Sequence, residues 1–142
     1  MKLQRNALAA ALAAALAVPA LGFAAAADLP IEKTQGAVTY LSGGNDRDEI
    51  RAIEKAAQQW PLELEFLIKA KPHDESAANV KVMIRDAEDR TVLDTTADGP
   101  FLLAKLAPGE YVVTADHNGR KLERHVIVWR NRHHSEMFIW AS

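Results

Sequence analysis

Cysteine is absent from the 142-residue chain, and that absence removes three things together. No disulfide can staple the fold, no thiolate can act as a nucleophile, and no thiolate can ligate a metal. Nor can a lipid be attached at a cysteine behind an export signal. The fold must stand on its apolar core, and about 115 residues beyond an N-terminal leader are enough for one domain to do so. Basic charge is also scarce. Without Lys2 and Arg5 the chain holds 15 basic against 19 acidic residues, a net of −4, which argues against nucleic-acid binding. After the first residues no apolar run approaches the ~20 positions that a membrane-spanning helix needs. Serines past the leader are Ser42, Ser76, Ser135 and Ser142, and none sits in the Gly-x-Ser-x-Gly elbow of a nucleophilic hydrolase.

What is present at the N-terminus reads as an export signal over residues 1–26. Lys2 and Arg5 make a basic start, residues 7–18 an alanine-rich apolar stretch, and Pro19 breaks it before the small residues Ala24 to Ala27. Cleavage is expected after Ala26, although Ala24 or Ala27 would serve. A disulfide-free exported protein fits a bacterial periplasm, so the expected location is periplasmic or secreted, with no membrane span once the signal is removed. Residues 27–142 are then one domain.

Residues 36–42 alternate enough for a strand, with Val38 and Tyr40 on one face. Asp46 and Glu49 have the spacing of a capping box, and Ile50, Ile53, Ala57 and Trp60 recur at helical spacing. These predict an amphipathic helix over 46–60, about four turns long, ended by Pro61. Gly43-Gly44 before a helix could suggest a phosphate cradle. It lacks the following Gly-Lys-Ser/Thr, and acids in the first turn repel an anion, so a plain turn is expected. Residues 62–69 alternate cleanly, with Leu62, Leu64, Phe66 and Ile68 inward. Glu63 and Glu65 then read as a wetted face rather than an acid–base pair. Residues 70–78 read as a surface loop. Val80, Val82 and Ile84 mark the next strand, 86–90 a polar turn and 91–96 a returning strand. Asp86, Glu88 and Asp89 lack the glycine and distal glutamate of a calcium loop.

Phe101 and Leu103, then Tyr111, Val113 and Ala115, recur at period two on either side of Pro108-Gly109, which predicts two strands joined by a corner. His117-Asn118-Gly119-Arg120 is a type I′ hairpin signal. It sets His117 opposite Arg120, Asp116 opposite Lys121, Ala115 opposite Leu122, Thr114 opposite Glu123, Val113 opposite Arg124 and Val112 opposite His125. Arg124 thereby falls on the apolar side. Val112, Ile127 and Trp129 fall on the outer face, where the helix is expected to cover them. Residues 131–135 read as a turn and 136–140 as a last strand.

Asp98-Gly99, an aromatic, and Leu106-Ala107-Pro108-Gly109-Glu110-Tyr111 followed by alternating β-formers resemble the carboxypeptidase regulatory-like domains, a group of transthyretin-like (prealbumin-like) β-sandwiches. The resemblance spans about residues 79–129. It implies a mainly β, Ig-like or transthyretin-like sandwich of about seven or eight strands, with one amphipathic helix near the start of the mature chain. On that reading 36–61 form a strand plus helix and 62–140 the sandwich. The layout is also similar to that of certain proteobacterial periplasmic proteins. Such sandwiches mostly serve as accessory or binding modules. The transthyretin-related hydrolases carry a Tyr-Arg-Gly-Ser tail, and this chain ends Ile139-Trp140-Ala141-Ser142, so the resemblance implies no catalytic residues and no cofactor.

Histidine is the one residue type left that could support metal or acid–base chemistry near neutral pH. His133 and His134 are adjacent, so in a strand they point to opposite faces, as do His117 and His125 in the register above. A metal site needs at least three converging ligands. Convergence of His117, His133 and Asp116 would favour a small hydrolase or histidine-based metal protein, and their dispersal a non-catalytic binding module, which is the expected role. The candidate surface is the basic, histidine-bearing set Arg120, Lys121, Arg130, Arg132, His133 and His134. Its expected partner is an anionic glycan, another envelope component or an acidic protein surface.

Overall fold

The computed structural model describes residues 29–142, and the export signal lies outside the described residues. Ten strands and one helix follow in the order β1 (Lys33–Gln35), β2 (Val38–Gly43), α1 (Arg47–Ala57), β3 (Leu62–Ile68), β4 (Glu75–Ser76), β5 (Lys81–Arg85), β6 (Thr91–Thr96), β7 (Phe101–Lys105), β8 (Gly109–His117), β9 (Arg120–Val128) and β10 (His134–Trp140). They form a β-sandwich of two sheets. One sheet has the order β1-β2-β7-β3-β10 with β4 added beside β3, and the other the order β6-β5-β8-β9. The two strands beyond the expected eight are short. β1 borders β2, and β4 pairs with Leu67 and Ile68 inside what reads in the sequence as a plain loop.

The core follows from alternation. Leu62, Leu64 and Phe66 of β3, Tyr40 of β2, Leu102 and Ala104 of β7 and Phe138 and Trp140 of β10 point into the sandwich. They meet Val82, Ile84, Leu93, Tyr111, Val113, Ala115, Val126 and Val128 of the second sheet. Every cross-strand pair derived from the Asn-Gly turn is present between β8 and β9, with Asn118 at φ 54° and Gly119 at φ 86°, the two positive values that a type I′ turn requires. The corner before β8 is tied by its own tyrosine. The Tyr111 hydroxyl donates to the Ala107 carbonyl at 2.7 Å, closing the Pro108-Gly109 bend as the chain crosses from one sheet to the other.

That crossing changes the reading of β7. Leu102 and Ala104 enter the sandwich core, whereas Phe101 and Leu103 face away from it into a second apolar cluster with Leu41, Ile53, Ala57 and Trp60. The strand is buried on both faces because α1 covers the outside of the first sheet. This corrects the expected position of the helix, which does not lie over Val112, Ile127 and Trp129. Ile127 and Trp129 remain 44% and 52% exposed on the uncovered second sheet. The connections explain why: α1 is held between β2 and β3, both strands of the first sheet, so a short helix packs back on that sheet.

Asp46 caps α1, its carboxylate accepting from the Glu49 amide at 2.8 Å. The Glu49 carboxylate reaches back to the amides of Gly44 and Asn45. The helix's own acid thus fills the cradle that a phosphate would need. Regular helix ends at Ala57, a turn earlier than the spacing suggests, and the chain tightens through Gln59 N to Ala56 O and Trp60 N to Ala57 O, each at 2.9 Å. Gly99 allows a close backbone approach, since a Cβ there would stand 2.4 Å from the Gly43 carbonyl oxygen.

Arg124 finds its reason at the seam where β9 and β10, edge strands of opposite sheets, run side by side. Its guanidinium lies 5.2 Å from the centre of the Phe138 ring and 3.8 Å from the Glu136 carboxylate. Glu136 in turn contacts His134 at 3.0 Å. The inward charge caps the core edge.

Candidate binding cleft

The C-terminal end of α1 and the β9–β10 loop approach one another at one end of the sandwich. Gln58, Gln59, Trp60 and Pro61 form one wall of a concavity of about 400 Å³, and Trp129, Asn131, Arg132 and His133 the other. Pro61 stops the helix so that its last polar residues stay at this rim, and Asn131 at φ 59° turns the loop back toward it. Trp60 is buried beneath, with the Lys105 ammonium 4.5 Å over its ring.

Two side chains define the mouth. Trp129 is half exposed, and the Arg132 guanidinium sits 5.8 Å from the centre of its ring. Arg130 and Arg132 are both exposed, and among the described residues neither forms an ion pair.

His133 braces the loop against the sheet. Its Nδ1 is 3.0 Å from the Trp60 carbonyl oxygen and its Nε2 3.1 Å from Glu63, so both ring nitrogens are engaged. The Glu63 side chain is only 14% exposed. The outward face of β3 is therefore not the wetted face that alternation suggests, because the first sheet is covered on that side as well. Burial first, and then the charges of Glu63 and Glu54, hold the Glu65 carboxyl above its ordinary value. The lining of the cleft itself offers indole, amide, guanidinium and imidazole groups, with no carboxylate and no hydroxyl side chain.

The structure divides the basic set read from the sequence. Arg132 and His133 line the cleft, and Arg130 belongs to the same β9–β10 loop but not to the lining. Arg120 and Lys121 start β9 at its other end, about 27 Å away at the rise of a nine-residue strand. There Arg120 donates to the Ala141 carbonyl, and its own carbonyl accepts from Trp140 Nε1 at 2.8 Å. Lys121 faces Asp116, and His134 turns inward to Glu136. His117 packs on Trp140 with ring centres 5.5 Å apart, whereas His133 precedes β10, so the whole seven-residue strand separates them. Asp116 accepts from the Gly119 amide at 2.8 Å in the hairpin. His117, His133 and Asp116 are dispersed, and among the described residues no three His, Asp or Glu side chains gather as a metal site. Nor does any helix among them have the length and apolarity to cross a membrane.

Sequence reasoning missed Trp129, Gln58 and Gln59 as members of the site. The tryptophan was legible as an outer-face residue expected to lie under the helix, whereas in the structure it stays half exposed and only the residues that end the helix, Gln58 to Pro61, share its concavity. No curated protein matches the chain. Residues 67–136 match the family model described as BOS complex subunit NOMO1-like, second beta sandwich domain. The match runs from the end of β3 into β10 and includes the β9–β10 loop but not α1, and it agrees with the two-sheet architecture. Over that segment the chain is similar to a β-sandwich domain of this family.

Proposed function

We propose that the protein is an exported, non-catalytic binding module of the carboxypeptidase regulatory-like kind that holds an acidic glycan at the cleft between α1 and the β9–β10 loop. The observation that carries this reading is Trp129, half exposed at the mouth of the cleft with Arg132 over its ring. A flat indole gives a sugar ring an apolar face to stack on, and a planar guanidinium meets a carboxylate with two parallel hydrogen bonds. Gln58, Gln59 and Asn131 add amides suited to hydroxyl groups. The family match supports an interaction role, since the matched domain is named for a subunit of a complex. The basic leader and small-residue cleavage region support export to the periplasm.

Titration with polygalacturonate tests the reading, with dextran as the neutral control. Trp60 and Trp140 are buried, so iodide quenching of tryptophan fluorescence reports mainly on Trp129. Saturable protection by the acidic polymer is expected, weakened about tenfold or more by Arg132→Ala and weakened by added salt, and in titration calorimetry, which needs no tryptophan reporter, Trp129→Ala is expected to weaken binding by a similar factor. Equal protection by dextran, or binding indifferent to salt, would overturn it. Binding retained by both variants would point instead to an acidic protein surface or another part of the fold.

A further inference from the structure

We propose that the free edge of β10 pairs with the same edge of a second copy, joining two first sheets into one continuous sheet across a two-fold axis. An edge strand presents unpaired backbone groups, and proteins ordinarily blunt such edges. Three of the four edges here are blunted. β1 is three residues long. On β6 the Gln35 side chain takes a neighbouring strand's place, accepting from Asp94 N at 2.7 Å and donating to Asp94 O at 3.0 Å. β9 carries Arg120, Lys121, Glu123, Arg124 and His125.

β10 is seven residues long and carries no side-chain latch on its backbone, and its inward charged groups, His134 and Glu136, are paired with each other and with Arg124. His134 N donates to Pro61 O and Lys69 N donates to Trp140 O, so its even-numbered residues face β3. The N–H and C=O groups of Ser135, Met137 and Ile139 therefore point to the free edge, which has no strand partner among the described residues. The side chains of Met137 and Ile139 stand on the outer face, 45% and 38% exposed, beside Leu67, the cross-strand partner of Ile139.

The sequence of the strand selects a second copy as the occupant. In an antiparallel pair centred on Met137, each Met137 meets its counterpart and Ser135 meets Ile139 of the second copy. On the inner face Glu136 meets Phe138 and His134 meets Trp140. No like charges stand opposite one another, and each Glu136 keeps its own His134 and Arg124. Three facing pairs of this kind exchange about six backbone hydrogen bonds, and the surface is isologous, as a closed dimer requires.

The chain, expressed from its full sequence and purified, is expected to sediment as a dimer at micromolar concentration, and Met137→Lys or Ile139→Lys to sediment as a monomer with an unchanged circular dichroism spectrum. Because the chain has no cysteine, single substitutions report the register. Met137→Cys on the axis is expected to be joined by a short bis-maleimide, and His125→Cys, on the uncovered sheet, is not. A monomeric wild-type protein overturns the proposal, as does a dimer that survives both lysine substitutions or cross-links equally at His125→Cys. Glycan protection of Trp129 reads the cleft separately, so either proposal can fail without the other.

Discussion

The two sheets carry opposite outer faces. The first is roofed by α1, which buries Leu41, Phe101 and Leu103 under Ile53, Ala57 and Trp60. The second is bare, and its outward residues along β8 and β9 run through Glu110, Thr114, Asp116, Lys121, Glu123 and His125. The comparison teaches that period-two alternation marks a strand without saying how many of its faces are covered. β3 and β8 alternate alike, and Glu63 and Glu65 of the roofed sheet are half-buried just as Val112, Thr114 and Asp116 of the bare one are, so the pattern does not tell the two apart. Only β7, written Phe-Leu-Leu-Ala-Lys, reveals the roof directly, as an unbroken apolar run covered on both sides.

The sharpest way to break this comparison is to truncate β7 on each side. Leu102→Ala and Leu103→Ala are both expected to cost about 2–5 kcal/mol in urea unfolding, because both leucines are fully buried. A Leu103 cost near that of a surface residue would show that α1 is not a true second core. At the tight corner Gly99→Ala is expected to destabilise the fold clearly in thermal melts, since its methyl would collide with the Gly43 backbone. Smaller losses, about 1 kcal/mol each, are expected for Tyr111→Phe, which removes the bond to Ala107, and for Asp46→Ala, which uncaps α1. On the bare face Ile127→Thr is expected to stay within about 0.5 kcal/mol of wild type.

pH sharpens the same contrast, because two carboxylates respond with opposite sign. Glu65 on the roofed sheet is raised above 4.5 by burial and by Glu63 and Glu54. The folded state therefore holds its proton longer than the unfolded chain, and stability falls as pH rises from 4.5 through the raised value. Glu65→Gln should then raise the melting temperature at pH 7 and leave it nearly unchanged at pH 4. Asp86, in the β5–β6 turn of the bare sheet, is lowered below 3.8, first by the Arg90 amide. Its contribution is present above 3.8 and lost as pH falls through the lowered value. Asp86→Asn should lower the melting temperature slightly at pH 7 and converge with wild type in strong acid.

Local chemistry was legible in the residues. Asn118-Gly119 dictates its turn through the two positive φ values, and from that single pair every contact between β8 and β9 follows by counting. Asp46 and Glu49 announce the helix start, and the alternation of β3, β5 and β8 identifies the residues that enter the core. Each of these rests on interactions a few positions apart along the chain or on strict counting from a turn, so the amino-acid order suffices to specify them. Which sheet α1 covers, why Arg124 points inward, and that Trp129 and Arg132 share a cleft with the end of α1 depend on segments far apart in sequence meeting in space. Arg124 is satisfied by Glu136 and Phe138 of another sheet, and Trp129 gains Gln58 and Gln59 as neighbours only when two sheets and a helix close on one another. Those relations belong to packing, which no local pattern encodes.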